Sequence, residues 1–165
     1  MIFHPWTTRE WVDAANTGNV IYIRGGRSRQ GELYDEIMRI DIARRRISTV
    51  GCLPSPRFVV GIVAIQDNVY IVGGFDGEIY YDDILMFGTD TEQLRMLGRL
   101  PNARAFGGVA GNGTRIYYAV TVRIGEYLYL IRGAHERFQR QLRFLQIHPE
   151  TGKSTSIQFR SFLMW

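Results

Sequence analysis

The sequence repeats itself at a spacing of 47 residues. Six residues of the segment that begins at Gly51 recur at the same relative positions in the segment that begins at Gly98. A fixed period of roughly 20–50 residues is typical of repeat architectures, in which each unit needs a neighbour to bury its apolar face. The chain is therefore expected to be a row of similar units. The matching pairs are Gly51/Gly98, Leu53/Leu100, Pro54/Pro101, Arg57/Arg104, Gly61/Gly108 and Tyr70/Tyr117.

Two further segments recur at this spacing or one residue more. Tyr34–Met38 recurs as Tyr81–Leu85 at 47 residues, and Val20–Gly26 recurs as Asn68–Gly74 at 48 residues. The second segment is a β-branched and aromatic run that ends in two glycines, a pattern typical of a strand followed by a sharp turn. The aromatic content of 13% also favours strands over helices. These patterns predict an all-β fold.

The residues around the repeats divide the chain further. Thr7 and Glu10 have the spacing of a capping box and Gly18 could end a helix, so residues 1–19 are predicted to be an extension with a short N-terminal helix. Residues 20–165 are predicted to form three units, at about 20–57, 58–104 and 105–165. The third unit lacks a glycine pair, and its segment Gln141–Arg160 reads as a closing hairpin.

Composition limits the class of protein. The single cysteine, Cys52, excludes an internal disulfide framework and fits a reducing compartment. The first residues have no signal-peptide pattern, and no apolar run approaches the ~18–20 residues of a membrane span. We therefore expect a cytoplasmic protein with no membrane contact. The positive net charge of +4 comes mainly from arginines. Because acidic residues are interleaved with these arginines, a solvated loop face is favoured over a continuous nucleic-acid-binding surface.

These motifs resemble kelch repeats, the four-stranded blades of a β-propeller. The strand ends at Gly25-Gly26 and Gly73-Gly74 match the family's glycine pair, and Leu53–Arg57 and Leu100–Arg104 match its inter-blade loop. The resemblance implies about three four-stranded kelch-like blades. Because family propellers usually close with five to seven blades, the ring is expected to be incomplete. The chain would then be a fragment, half of a homodimeric ring, or one component of a larger assembly.

The resemblance also implies where a partner would bind. In some kelch propellers, arginines equivalent to Arg57 and Arg104 face the central mouth and bind an acidic peptide, and a guanidinium matches a carboxylate bidentately. The alternative is that both arginines tie loops together by bonding backbone carbonyls. The loops after the glycine pairs are expected on the same face, which adds Arg27, Arg29 and Asp76 to the predicted partner-binding residues.

Both ends of the chain are apolar. Trp6 and Trp11 near the start and Phe162 and Trp165 at the finish are predicted interface residues, because exposed apolar patches usually mark contacts with another protein or a second copy.

Catalytic patterns are weak. The three histidines are far apart, and Cys52 has no histidine near it in the sequence. The neighbours Asp82 and Asp83 point to opposite faces of a strand. We therefore predict no catalytic residues, no metal and no cofactor. The predicted function is a non-catalytic protein-interaction module that binds an acidic peptide through its blade loops. The alternatives are a basic architectural subunit of a ribonucleoprotein or larger assembly, and a degenerate kelch-type sugar-active enzyme.

Overall fold

The computed structural model describes residues 9–105, 107–111, 116–118, 120–124, 127–131, 143–147, 151 and 153–158. Within these residues the chain forms sixteen β-strands and no helix, so the predicted all-β fold is confirmed. The strands form three four-stranded antiparallel sheets and two two-stranded ribbons.

The three larger sheets follow one another along the chain. Sheet 1 contains β2 (Asp13–Thr17), β3 (Val20–Arg24), β5 (Glu36–Asp41) and β6 (Arg46–Cys52). Sheet 2 contains β7 (Gly61–Ile65), β8 (Asn68–Val72), β9 (Asp83–Gly88) and β10 (Gln93–Arg99). Sheet 3 contains β11 (Val109–Gly111), β12 (Ile116–Tyr118), β15 (Arg143–Ile147) and β16 (Ser154–Gln158). In each sheet the spatial order of the strands is their order in the chain.

The two ribbons lie in connections. β1 (Arg9–Glu10) pairs with β4 (Arg27–Ser28), which belongs to the connection between β3 and β5. β13 (Val120–Ile124) pairs with β14 (Tyr127–Ile131) between β12 and β15. The predicted closing hairpin is confirmed by the antiparallel pairing of β15 with β16.

The predicted N-terminal helix is wrong within the described residues. Asp13–Thr17 is the first strand of sheet 1 and pairs along its whole length with β3. Gly18 has a φ of +52° in the two-residue turn between these strands. The same left-handed conformation ends many helices, so a glycine there suits a helix end and a hairpin equally well. The β-branched partner β3 decides for the strand.

The core lies between successive sheets. Tyr22 and Ile37 of sheet 1 pack against Val69, Ile71 and other residues of sheet 2. A second cluster joins the opposite face of sheet 2 to Ile116 of sheet 3. The first strands of the sheets, β2, β7 and β11, contact one another in turn. Sheet 2 thus buries apolar residues on both faces, whereas sheets 1 and 3 each contact it through one, and this burial stabilises the row.

Candidate functional site

The paired glycines lie in close backbone contact with the start of the following unit. The N–H of Gly26 donates to the carbonyl of Arg57 at 3.3 Å, and the N–H of Arg57 donates to the carbonyl of Tyr34, also at 3.3 Å. Gly25 has a φ of +61°, and a Cβ added there would overlap the Arg57 carbonyl oxygen. Glycine is therefore required both for its backbone conformation and for the close approach of the next unit.

The second junction has the same geometry. The N–H of Gly74 donates to the carbonyl of Arg104 at 2.8 Å, and the N–H of Arg104 donates to the carbonyl of Tyr81 at 2.9 Å. Gly73 has a φ of +65°, and a Cβ there would overlap the Arg104 carbonyl oxygen. The repeat in the sequence is thus a repeat of junctions between sheets.

Arg57 stands at the predicted boundary between the first two units, and its side chain lies in the unit that contains sheet 2. It is 1% exposed, and its Nη1 donates to Asp83 Oδ1 at 2.6 Å and to the Gly73 carbonyl at 3.4 Å. Its Nε donates to the Ser55 carbonyl at 3.3 Å, and its guanidinium carbon lies 3.6 Å from the centre of the Tyr81 ring. These contacts match the alternative interpretation, in which the arginine ties loops together. A ligand role for Arg57 stays a prediction.

Sequence reasoning missed Arg9, which makes the corresponding contacts in unit 1. Arg9 Nη2 donates to Glu36 Oε2, and its guanidinium carbon lies 3.9 Å from the centre of the Tyr34 ring. Trp11, with a φ of +60°, and Val59, with a φ of +48°, follow the two arginines at the same distance along the chain. Aligning Arg9 with Arg57 at the 48-residue spacing of the glycine pairs would have found it.

Three other predicted binding residues, Arg27, Arg29 and Asp76, lie in the connections 25–35 and 73–82, which leave the same edge of sheets 1 and 2, whereas Arg104 lies at the second junction. We call these connections the loop edge. Arg27 is exposed, and Arg29 has a side chain that is 73% exposed, with its Nε 3.5 Å from Glu10 Oε1. Two predicted arginines are therefore available to solvent on the part of the loop edge that belongs to unit 1.

Asp76 has a different surrounding on the same edge. Its Oδ1 accepts hydrogen bonds from the backbone N–H groups of Glu78 and Ile79 at 2.9 and 2.7 Å, and its Oδ2 accepts one from the Tyr81 hydroxyl at 2.8 Å. Partial burial acts to raise the pKa of this carboxyl, but the hydrogen bonds outweigh it and lower the pKa. The Asp76 carboxylate therefore stabilises the conformation of its own connection, 73–82.

Of the predicted interface residues, the structure describes Trp11, whose exposed fraction is 58%. Trp6, Phe162 and Trp165 lie outside the described residues. Trp11 precedes sheet 1 and follows β1, so an apolar ring stands in solvent at the start of the first unit.

A pair of charges, one buried and one partly buried, distinguishes sheet 1 from sheet 2. Asp13 and Arg24 are cross-strand neighbours in sheet 1, whereas Gly61 and Val72 occupy the equivalent pair in sheet 2. Arg24 is 1% exposed, and its Nε, Nη1 and Nη2 have no hydrogen-bond partner among the described residues. Sequence reasoning gave Arg24 no role beyond the repeated strand and placed Asp13 in a helix.

Burial sets the pKa of both members of this pair. Desolvation lowers the pKa of Arg24 to about 9, helped by the positive charge of Arg57 and opposed by Asp13 and Asp83. Desolvation also raises the pKa of Asp13 to about 6, opposed by Arg24 and by a 3.1 Å hydrogen bond from the Val60 N–H. A carboxyl that titrates near pH 6 therefore lies at the contact between sheets 1 and 2.

Groups suited to catalysis are not gathered in the part of the chain that the structure describes. No set of three or more His, Cys, Asp or Glu side chains there could hold a metal ion. Cys52 is exposed, and desolvation together with Asp35 and Glu36 raises the pKa of its thiol. Asp83, the first residue of β9, binds Arg57, whereas Asp82, which precedes β9, accepts a 2.5 Å hydrogen bond from Arg99, so the two carboxylates have separate partners.

Comparison with known proteins gives no assignment. No protein-family model matches the chain, and no curated protein shows significant similarity to it. Among the described residues, no helix is both long and apolar enough to cross a membrane.

Proposed function

We propose that the chain is a segment of a kelch-like β-propeller that works as a non-catalytic protein-interaction module. The observation that carries this proposal is the repeated junction, in which a glycine pair holds the backbone of the next unit's arginine. Successive sheets joined in this way form a rigid support, and loops on rigid supports are where recognition residues concentrate. The kelch resemblance of the same residues supports the interpretation.

The proposed ligand is an acidic peptide, and the proposed contacts are Arg27 and Arg29. Both side chains are exposed on the loop edge, whereas Arg57 is buried and stabilises the junction beneath them. Arg29 lies near the carboxylate of Glu10 at 3.5 Å, and both of these side chains are more than half exposed. An ion pair this exposed contributes little to the free energy of folding. A ligand carboxylate can therefore replace Glu10 as the partner of Arg29.

The test is binding of a labelled 12-residue Asp/Glu-rich peptide, measured by fluorescence anisotropy. Arg27→Ala/Arg29→Ala should weaken binding by about tenfold or more, because a hydrogen bond to a charged group contributes about 1.5–3 kcal/mol and 1.4 kcal/mol is tenfold in affinity. The matched control is Arg45→Ala/Arg46→Ala. It removes the same charge from the last residue of the turn between β5 and β6 and from the first residue of β6, at the opposite edge of sheet 1.

Two results would contradict the proposal. One is no measurable binding of any acidic peptide by the wild-type chain. The other is an equal loss in both double variants together with a steep fall of affinity with salt, which would indicate a general response to polyanions. That second result would favour the architectural subunit of a ribonucleoprotein.

A further inference from the structure

Sheet 1 has one apolar face on which no other described sheet packs. The face is opposite to the one that carries Tyr22 and Ile37, and none of its residues belongs to a described core cluster. Ile47 on this face is 44% exposed, and Ile42, which follows β5, is 54% exposed. We call this surface the open face. Its apolar members in the four strands are Ala14, Ile21, Ile23, Met38, Ile40 and Ile47.

The central part of the same face of sheet 2 is covered. The pair Ile71 and Leu85 in sheet 2 corresponds to Ile23 and Met38 in sheet 1, because each is a cross-strand pair of the second and third strands. Four of the corresponding residues in sheet 2 are between 0% and 2% exposed, since sheet 1 packs on them. These are Val69, Ile71, Leu85 and Phe87.

The correspondence extends to the outer and inner strands. Leu94 lies opposite Phe87 in sheet 2, as Ile47 lies opposite Ile40 in sheet 1. Ile62 lies opposite Ile71, as Ala14 lies opposite Ile23. The open face of sheet 1 therefore corresponds to the face of sheet 2 on which the preceding sheet packs. No sheet precedes sheet 1 among the described residues.

We propose that a second copy of this chain covers the open face with its own sheet 3, so that two chains close one ring. The partner of such a face is the opposite face of a sheet of the same kind, as Tyr22 and Ile37 show at the contact of sheets 1 and 2. In the row of three sheets, the opposite faces of sheets 1 and 2 are already occupied. Sheet 3 is the last of the described sheets in the row, and in this proposal its face away from sheet 2 is the complementary end.

The stoichiometry follows from the stacking. A contact between two different surfaces of the chain is head to tail, and it closes only when the rotation returns to the start. Three four-stranded sheets from each of two chains make six, which lies within the usual range of about 4–8 blades for a propeller. This inference rests on the proposed propeller architecture but not on peptide binding at the loop edge.

The experiment is light scattering on a sizing column over a hundredfold range of protein concentration. The wild-type chain should have a mass of about 38 kDa, twice the 19.0 kDa of one chain. Ile42→Lys/Ile47→Lys places two charges on the open face, at side chains that are already exposed in the single chain. This variant should elute as a monomer, with its dissociation constant raised by at least a hundredfold.

The matched control is Ile79→Lys/Met96→Lys. Ile79 lies in a loop-edge connection and Met96 in β10, and they are 57% and 51% exposed. The control should stay dimeric, and circular dichroism should show the same β-structure in all three proteins. A folded wild-type monomer at every concentration would overturn the proposal. So would a dimer that survives the open-face charges, or a mass that keeps growing with concentration.

The two proposals fail separately. A monomer that still binds the acidic peptide through Arg27 and Arg29 would remove the closed pair of chains and leave the interaction module. A dimer that binds no acidic peptide would remove the peptide site and leave the assembly.

Discussion

Asp13 should make the stability of this protein fall as the pH rises towards neutrality. Its carboxyl has a pKa of about 6 in the folded chain, raised by burial from 3.8. Because the folded state holds this proton more tightly than the unfolded state, the extra stability is fully present below pH 3.8 and is lost as the pH rises through about 6. The difference of about two pKa units corresponds to about 3 kcal/mol.

Asp13→Asn isolates this contribution. The amide does not titrate, and its oxygen can still accept the hydrogen bond that the Val60 N–H donates to the carboxylate. Urea unfolding of both proteins at half-unit intervals from pH 4 to pH 8 gives the free energy of unfolding at each pH. The stability of the variant relative to wild type should rise by about 2–3 kcal/mol between pH 4 and pH 7.5. Other carboxyls shift both curves alike and cancel in the difference.

The charged neighbour of Asp13 is Arg24 on the paired strand, and Arg24 in turn interacts with Arg57 and Asp83 across the junction. Asp90→Asn, at an exposed position after β9, is the matched control and should follow the wild-type curve. Parallel curves for the wild type and Asp13→Asn would refute the argument. They would mean that the carboxyl is not desolvated at the contact between the sheets.

Two comparisons of unfolding free energy test the junction. Gly73→Ala should lose more than about 3 kcal/mol, because its Cβ overlaps the Arg104 carbonyl in addition to the left-handed strain. Gly18→Ala carries only that strain, about 1–2 kcal/mol, since its Cβ meets no atom within 4 Å; equal losses would contradict the close approach. Arg57→Met should lose about 3–5 kcal/mol by leaving Asp83 unpaired in a largely buried position. Arg99→Met breaks an exposed pair and should lose less than about 1 kcal/mol, so similar losses would contradict a structural role for Arg57.

The repeat predicted most of the fold because its signals are local. A run such as Tyr70–Gly74 contains both the strand and the glycines that end it, and the pairing of β15 with β16 is set by a short turn. The strand Asp13–Thr17 was not predicted, because its β-structure depends on pairing with β3 and not on its own composition. The glycine at its end is equally suited to a helix end.

The candidate site was less predictable because it depends on side-chain direction across a junction. The sequence indicates that Arg57 starts a unit, but not that its guanidinium turns inward to Asp83 and Tyr81. Predicting that Asp13 lies next to Arg24 requires knowing the register of β2 against β3. This register could not be predicted because residues 13–17 were assigned to a helix. Comparing the repeated units identifies the residues that they have in common, whereas Asp13 and Arg24 occur in sheet 1 and are replaced by Gly61 and Val72 in sheet 2.

The glycine junction is made largely by main-chain atoms, and this has a consequence for how such chains grow. The contact between Gly73-Gly74 and Arg104 repeats that between Gly25-Gly26 and Arg57 without depending on most of the side chains between them. A duplicated stretch of one period would bring its own glycine pair, its own arginine and both of its apolar faces. Gene duplication could therefore lengthen the row without inventing a new contact, and the residues within each unit remain free to diverge.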